Sequence, residues 1–116
     1  MSDALRALQQ HLAAFAAERD WDQFHSPKNL SMALAVEAAE LVEHFQWLTE
    51  ERSAHLDAEQ LREVRLEAAD VLIYLVRLAD KLGIDLLQAA DEKIALNEKK
   101  YPADRVRGDA RKYSDY

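Results

Sequence analysis

The chain has 116 residues, no cysteine and a net charge of −7, and 49% of it is apolar. That length suits one domain with a real core. The charge excludes a broad nucleic-acid surface, which needs clustered Lys and Arg, and the lack of cysteine excludes disulfides and thiolate metal sites.

Only two Gly and two Pro occur, and Ala, Leu and Glu dominate, so the fold class is all-α. The start, MSDALRALQQHL, has no hydrophobic stretch for a signal peptide, and no run reaches membrane-spanning length. The expected location is the cytoplasm, with no membrane partner and no nucleic-acid polymer as partner. A small phosphorylated ligand held through a cation remains compatible with the charge.

Leu5, Leu8, Leu12 and Phe15 recur at helical spacing and predict a first helix over residues 3–18. The connector RDWDQFHSPKN follows, with two aromatics and a His; it either plugs the end of a bundle or touches a ligand. Leu34, Ala38, Leu41, Phe45 and Leu48 form the stripe of a second helix from about Lys28 to Leu48. Residues 49–56 are polar and read as a loop. Asp57 with Gln60 resembles a capping box, and Gly83 is a natural C-terminal cap, so the third helix runs between them. Its middle, VLIYLV at residues 71–76, is apolar all round, which calls for a central helix or a second subunit against it. Asp85 with Gln88 starts a fourth helix, which ends near Tyr101 because Pro102 cannot continue it. The core is thus about 3–101 within a single domain, 1–116. The tail, 102–116, mixes charges and tyrosines without helical period; it is either disordered or wraps a neighbour.

Two acidic couplets carry the chemistry. Glu37 and Glu40 lie in AVEAAELVEHF, and Glu67 and Asp70 in RLEAADVLIYL. Acids three apart share one face of a helix. Small residues (Ala38, Ala39, Ala68, Ala69) allow close helix approach, and the positions four after Glu37, Glu67 and Asp70 hold Leu41, Val71 and Tyr74 rather than a base. Asp70 has Leu66, Ile73 and Tyr74 as helical neighbours, a poor place for a lone carboxylate. If the helices pack face to face, four carboxylates converge near a core and need a hard divalent cation, for which Mg²⁺ is suited. Acids at this spacing are also common on solvated faces, and one couplet alone is weak evidence.

On the fourth helix, Lys93, Asn97, Lys100 and Tyr101 fall on one face. Two cations, an amide and a phenol suit phosphate oxygens and a sugar or base edge. The alternative is a solvated face with a packing Tyr.

Together these segments resemble the all-α nucleoside triphosphate pyrophosphohydrolases, the MazG-like superfamily, and within it most closely the dCTP pyrophosphatase branch. The resemblance rests on Glu37-x-x-Glu40 and Glu67-x-x-Asp70 with DWDQFH, FQW, DVLIYLV and K-x-x-x-N-x-x-x-YP. It covers nearly the whole chain beyond the first dozen residues. Leu66 stands where the branch often has another acid, and the loop from Trp47 to Asp57 is short; both bear on substrate preference rather than the metal site. The resemblance implies a four-helix MazG-like bundle protomer, assembling as a dimer or a dimer of dimers. It implies cleavage between the α and β phosphates, giving a nucleoside monophosphate and pyrophosphate, as nucleotide-pool house-cleaning. Glu37, Glu40, Glu67 and Asp70 then form the catalytic site and bind Mg²⁺. Trp21, His25, Trp47 and Tyr74 are candidates for the nucleoside pocket, and Lys93, Asn97, Lys100 and Tyr101 approach phosphates and sugar.

Rival readings stand beside this one. A different base, such as uracil or a modified nucleotide, is compatible with the same reaction. A di-iron carboxylate bundle needs Glu-x-x-His pairs, and here His44 follows Glu40 by four and His55 follows Glu51 by four. A non-catalytic oligomerisation module explains VLIYLV but not the unpaired acids.

Overall fold

The computed structural model describes residues 3–111 and 114. All of its regular elements are helical: α1 (Asp3–Glu18), a 3-10 turn (Asp22–Phe24), α2 (Pro27–Glu43), α3 (Glu50–Ser53), α4 (Ala58–Leu82), α5 (Leu86–Lys100) and α6 (Ala103–Val106). Four long helices thus match the four expected from the periodicity.

Local chemistry sets the ends. After α1, Asp20 adopts a left-handed φ of 53°. The Asp20 amide donates to Ala17 O at 3.1 Å and the Trp21 amide to Ala16 O at 2.9 Å, the paired bonds of a Schellman turn. That turn folds the chain back, and the Trp21 ring meets Phe15 edge-on at 5.8 Å. Ser26 caps α2 by accepting from the Asn29 amide, with Pro27 in the first turn. The predicted capping box at Asp57 and Gln60 is present in full. Gly83 (φ 66°) closes α4 in a second Schellman turn, its neighbour Ile84 donating to Ala79 O at 2.9 Å. Asp85 caps α5 through the Gln88 amide.

Three sequence expectations need correction. α2 stops at Glu43, not Leu48. Its last turn carries Glu40 and Glu43 and no base, against the helix dipole. The chain then tightens into i→i−3 turns, with Phe45 donating to Val42 O and Leu48 to Phe45 O, both at 2.9 Å. The expected loop at 49–56 contains the one-turn helix α3, because the Thr49 side chain accepts from the Arg52 amide. The tail contains α6, which starts directly after Pro102, a residue whose fixed φ is pre-set for a first turn; residues 112–113 and 115–116 lie outside the described residues.

α4 is the central helix: it packs against α2 along its length and against α1. Among the described residues the buried core is small, comprising Ala16, Leu30, Val76 and Ala79 together with one charged residue, Arg77. α5 has no buried residue, and Ile94 and Leu96 are more than half exposed. The radius of gyration is 17.6 Å, against about 13 Å for a compact chain of this length. No helix among the described residues is long and apolar enough to cross a membrane.

Candidate active site

α2 and α4 bring the couplets together. Carboxylate oxygens of Glu37, Glu67 and Asp70 lie within 4.8 Å of one another. Glu40 joins them, close enough to act on both Glu37 and Glu67. Glu37, Glu40 and Glu67 are half-buried, whereas Asp70 is exposed. The expectation that all four acids converge near a core is therefore corrected for Asp70, which stays exposed despite its apolar helical neighbours Leu66, Ile73 and Tyr74.

The cluster is electrostatically unfavourable as it stands. Burial, followed by contact with Glu40 and Glu37, pushes the Glu67 carboxyl from 4.5 up to about 8. Burial, then the Glu40 carboxyl, also pushes Glu37 above its ordinary value. Glu37 Oε2 is buried and has no hydrogen-bond partner, and no ion pair among the described residues reaches these four acids. Buried carboxylate oxygen that lacks a donor is costly. A divalent cation is the partner that an all-oxygen, all-anionic set accepts, so the residues fit one.

Beside the acids is a cavity of about 240 Å³. Leu12, Phe15 and Ala16 of α1 form one wall, and Trp21 and His25 of the connector a second. Ile73, Tyr74 and Arg77 of α4 form a third, and Glu37 and Asp70 line its edge. Trp21 and His25 of the connector thus belong to the cavity, whereas its second aromatic, Phe24, does not line it and is exposed.

Behind the cavity lies a polar network that was not foreseen. Arg77, 4% exposed, donates from Nη2 to Asp22 Oδ1 at 2.9 Å and from Nη1 to Asp80 Oδ2 at 3.3 Å. Its Nε donates to His25 Nδ1 at 3.3 Å. Lys81 also donates to Asp22, and Gln9 from α1 donates to Asp80 at 2.7 Å. The Lys81 and Arg77 hydrogen bonds hold Asp22 below the usual carboxylate range. Burial, then Arg77, lowers the His25 pKa and so favours the neutral ring. A lone Arg in an apolar run, VLIYLVRLA, was the available signal.

The other predicted residues are elsewhere. Trp47 is 88% exposed and outside the cavity; the turn after α2 projects it into solvent. Lys93, Asn97, Lys100 and Tyr101 ride on α5, and none of them lines the cavity. Asn97 and Tyr101 are half-buried, and Lys93 and Lys100 exposed.

Comparison with known proteins decides the family. The MazG-like family model matches residues 32–116. The chain belongs to the MazG-like family. This MazG-like chain is 47% identical over 105 residues to dCTP pyrophosphatase 1 of Mus musculus, covering 89% of the chain and 62% of that protein. Identity to dCTP pyrophosphatase 1 of Homo sapiens is 45% over 105 residues, with the same coverage. The chain therefore spans about three fifths of the length of these relatives. The crystal structure of a pyrophosphatase from Archaeoglobus fulgidus DSM 4304 superposes with a TM-score of 0.82 at 37% identity, covering 88% of this MazG-like chain and 95% of that one.

Proposed function

We propose that the protein is a Mg²⁺-dependent nucleoside triphosphate pyrophosphohydrolase. It cleaves between the α and β phosphates and releases a monophosphate and pyrophosphate, with dCTP or a modified deoxycytidine triphosphate as substrate. The observation that carries this reading is the Glu37–Glu67–Asp70 cluster at the edge of an aromatic cavity. Cation and base recognition are adjacent, as a triphosphate nucleotide requires. The relatives named dCTP pyrophosphatase support the base.

Complete ligand pockets measure about 300–1,000 Å³. The 240 Å³ cavity is smaller and suits a base, with sugar and phosphates running out over the rim at Asp70. Trp21 and Tyr74 offer stacking surface there. Glu37, Glu40, Glu67 and Asp70 would hold the cation, which when bound neutralises phosphate charge and makes water more acidic. A carboxylate not engaged by the cation can orient the attacking water and take its proton. Positioning and charge compensation supply most of the rate in phosphoryl chemistry. Lys93, Asn97, Lys100 and Tyr101 serve phosphates and sugar in a homodimer or homotetramer in which α5 of one copy reaches the site of another. That arrangement accounts for an α5 with no buried residue in the single chain. Cytoplasmic house-cleaning of the nucleotide pool is the corresponding role.

Incubation with Mg²⁺ and a panel of triphosphates, with product identification, tests the reading. Monophosphate plus pyrophosphate, fastest from dCTP or its derivatives, is the expected result. Faster turnover of dUTP would shift the substrate to another base. Absence of any hydrolysis would favour a non-catalytic helical module, which leaves the unpartnered Glu37 oxygen unexplained.

A further inference from the structure

We propose that Arg77 is a positioning residue that locks His25 into the tautomer protonated at Nε2, giving the cavity a fixed hydrogen-bond donor for an acceptor atom of the nucleobase. The inference rests on the nucleotide reading above.

Arginine has five N–H donors and no acceptor. Its Nε lies 3.3 Å and its Nη2 3.2 Å from His25 Nδ1. Whichever of them makes the bond, Nδ1 must accept through a lone pair. A neutral ring that accepts at Nδ1 carries its proton on Nε2. The protonated ring would aim an N–H at a guanidinium, so the same contact also disfavours the imidazolium.

The lock is rigid because Arg77 is itself clamped. Asp22 holds one end of the guanidinium and Asp80 the other, and Gln9 fixes Asp80 from α1. Lys81, which also acts on His25, is committed to Asp22, and the acids that share the cavity with the ring are Glu37 and Asp70. Asp22, the carboxylate that acts on the ring, is held by Arg77 and Lys81. His25 lines the cavity, and with Nδ1 engaged, Nε2–H is its remaining polar atom. A donor there suits a base edge that accepts, such as O2 and N3 of cytosine. It leaves an N–H presented at that point unpaired, and an unmade hydrogen bond discriminates more strongly than a weak one.

Two measurements test this together. Long-range ¹H–¹⁵N spectra of the ¹⁵N-labelled 116-residue chain report which ring nitrogen of His25 is protonated. Nε2 is expected in the wild type, and a mixture of tautomers in Arg77→Met. Arg77→Lys, which keeps the charge but not the fork, is expected to give a mixture too, and serves if the Met variant fails to fold. In steady-state hydrolysis of dCTP, loss of the oriented donor raises KM by about tenfold, with a smaller change in kcat. On a His25→Ala background the same Arg77 substitution adds less than about twofold, since the two residues act as one unit. A wild-type proton on Nδ1, or an equal KM rise on both backgrounds, overturns the lock. A wild type that hydrolyses no triphosphate sinks the nucleotide reading instead, and the spectra then judge the tautomer alone.

Discussion

Glu37 on α2 and Glu67 on α4 face each other across the seam between the two helices, and with Asp70 their oxygens fall within 4.8 Å. This seam is also the main packing contact of the fold. The most stabilising interface and the most repulsive charge cluster therefore occupy the same place.

Glu67→Gln should abolish hydrolysis while leaving helicity intact. The amide keeps size and helix propensity but removes an anionic oxygen. Loss of more than about tenfold in kcat, or roughly 1.4 kcal/mol of barrier, is expected. A variant that retains more than a tenth of wild-type kcat would show that Glu67 is not an essential ligand.

Stability without metal should fall as pH rises from about 5 to 8. The sign follows from proton binding. The Glu67 pKa is 4.5 unperturbed and about 8 in the fold, so between those values the folded state holds more protons than the unfolded one. Stability then declines with increasing pH across that window. Bound Mg²⁺ replaces the proton and should cancel the decline; at a hundredfold excess over Kd it adds about 2.7 kcal/mol. Thermal melts in EDTA and in millimolar Mg²⁺, at several pH values, measure this. Parallel pH profiles in the two conditions would remove Glu67 from the cation site.

Trp47→Ala should raise KM without unfolding the protomer. A truncated core Trp costs about 3–5 kcal/mol, but this one is 88% exposed. If Trp47 instead walls the base in an assembled site, the loss is about 1–3 kcal/mol of stacking. Circular dichroism and steady-state kinetics separate the two. An unchanged KM would take Trp47 out of the nucleoside pocket.

The protein should be an oligomer at micromolar concentration. Leu72, Leu87, Ile94 and Leu96 are all more than 40% exposed, and exposed apolar area on this scale marks an interface. Light scattering should give a dimer or tetramer mass. A mass near the single-chain 13.3 kDa would refute the shared-site arrangement.

The sequence made some of this legible and hid the rest for physical reasons. Helix α1 and both ends of α4 could be read because stripes and caps are local. The acidic couplets could be paired because i, i+3 spacing fixes a face whatever the partner. The early end of α2 could not be read: no breaker marks it, only a weak conflict between Glu40, Glu43 and the helix dipole. The link from Arg77 to His25 spans 52 residues, and nothing local announces such a pairing. The exposure of Asp70 depends on how two helices cross, which periodicity does not encode.

The turn at Gly83 has a further consequence. It joins α4 to α5 through Ile84 and Asp85 alone, with a left-handed residue on one side and a side-chain cap on the other. Such a joint is an elbow of set angle, not a tether. In the proposed oligomer the arm that follows would meet a partner already aimed, so little chain freedom would be lost on docking and more of the contact energy would survive as affinity. The elbow also converts any change in its own geometry into a long displacement at the far tip of α5, around Lys100 and Tyr101. A left-handed position that glycine adopts without steric cost thereby sets the reach of residues a full helix away.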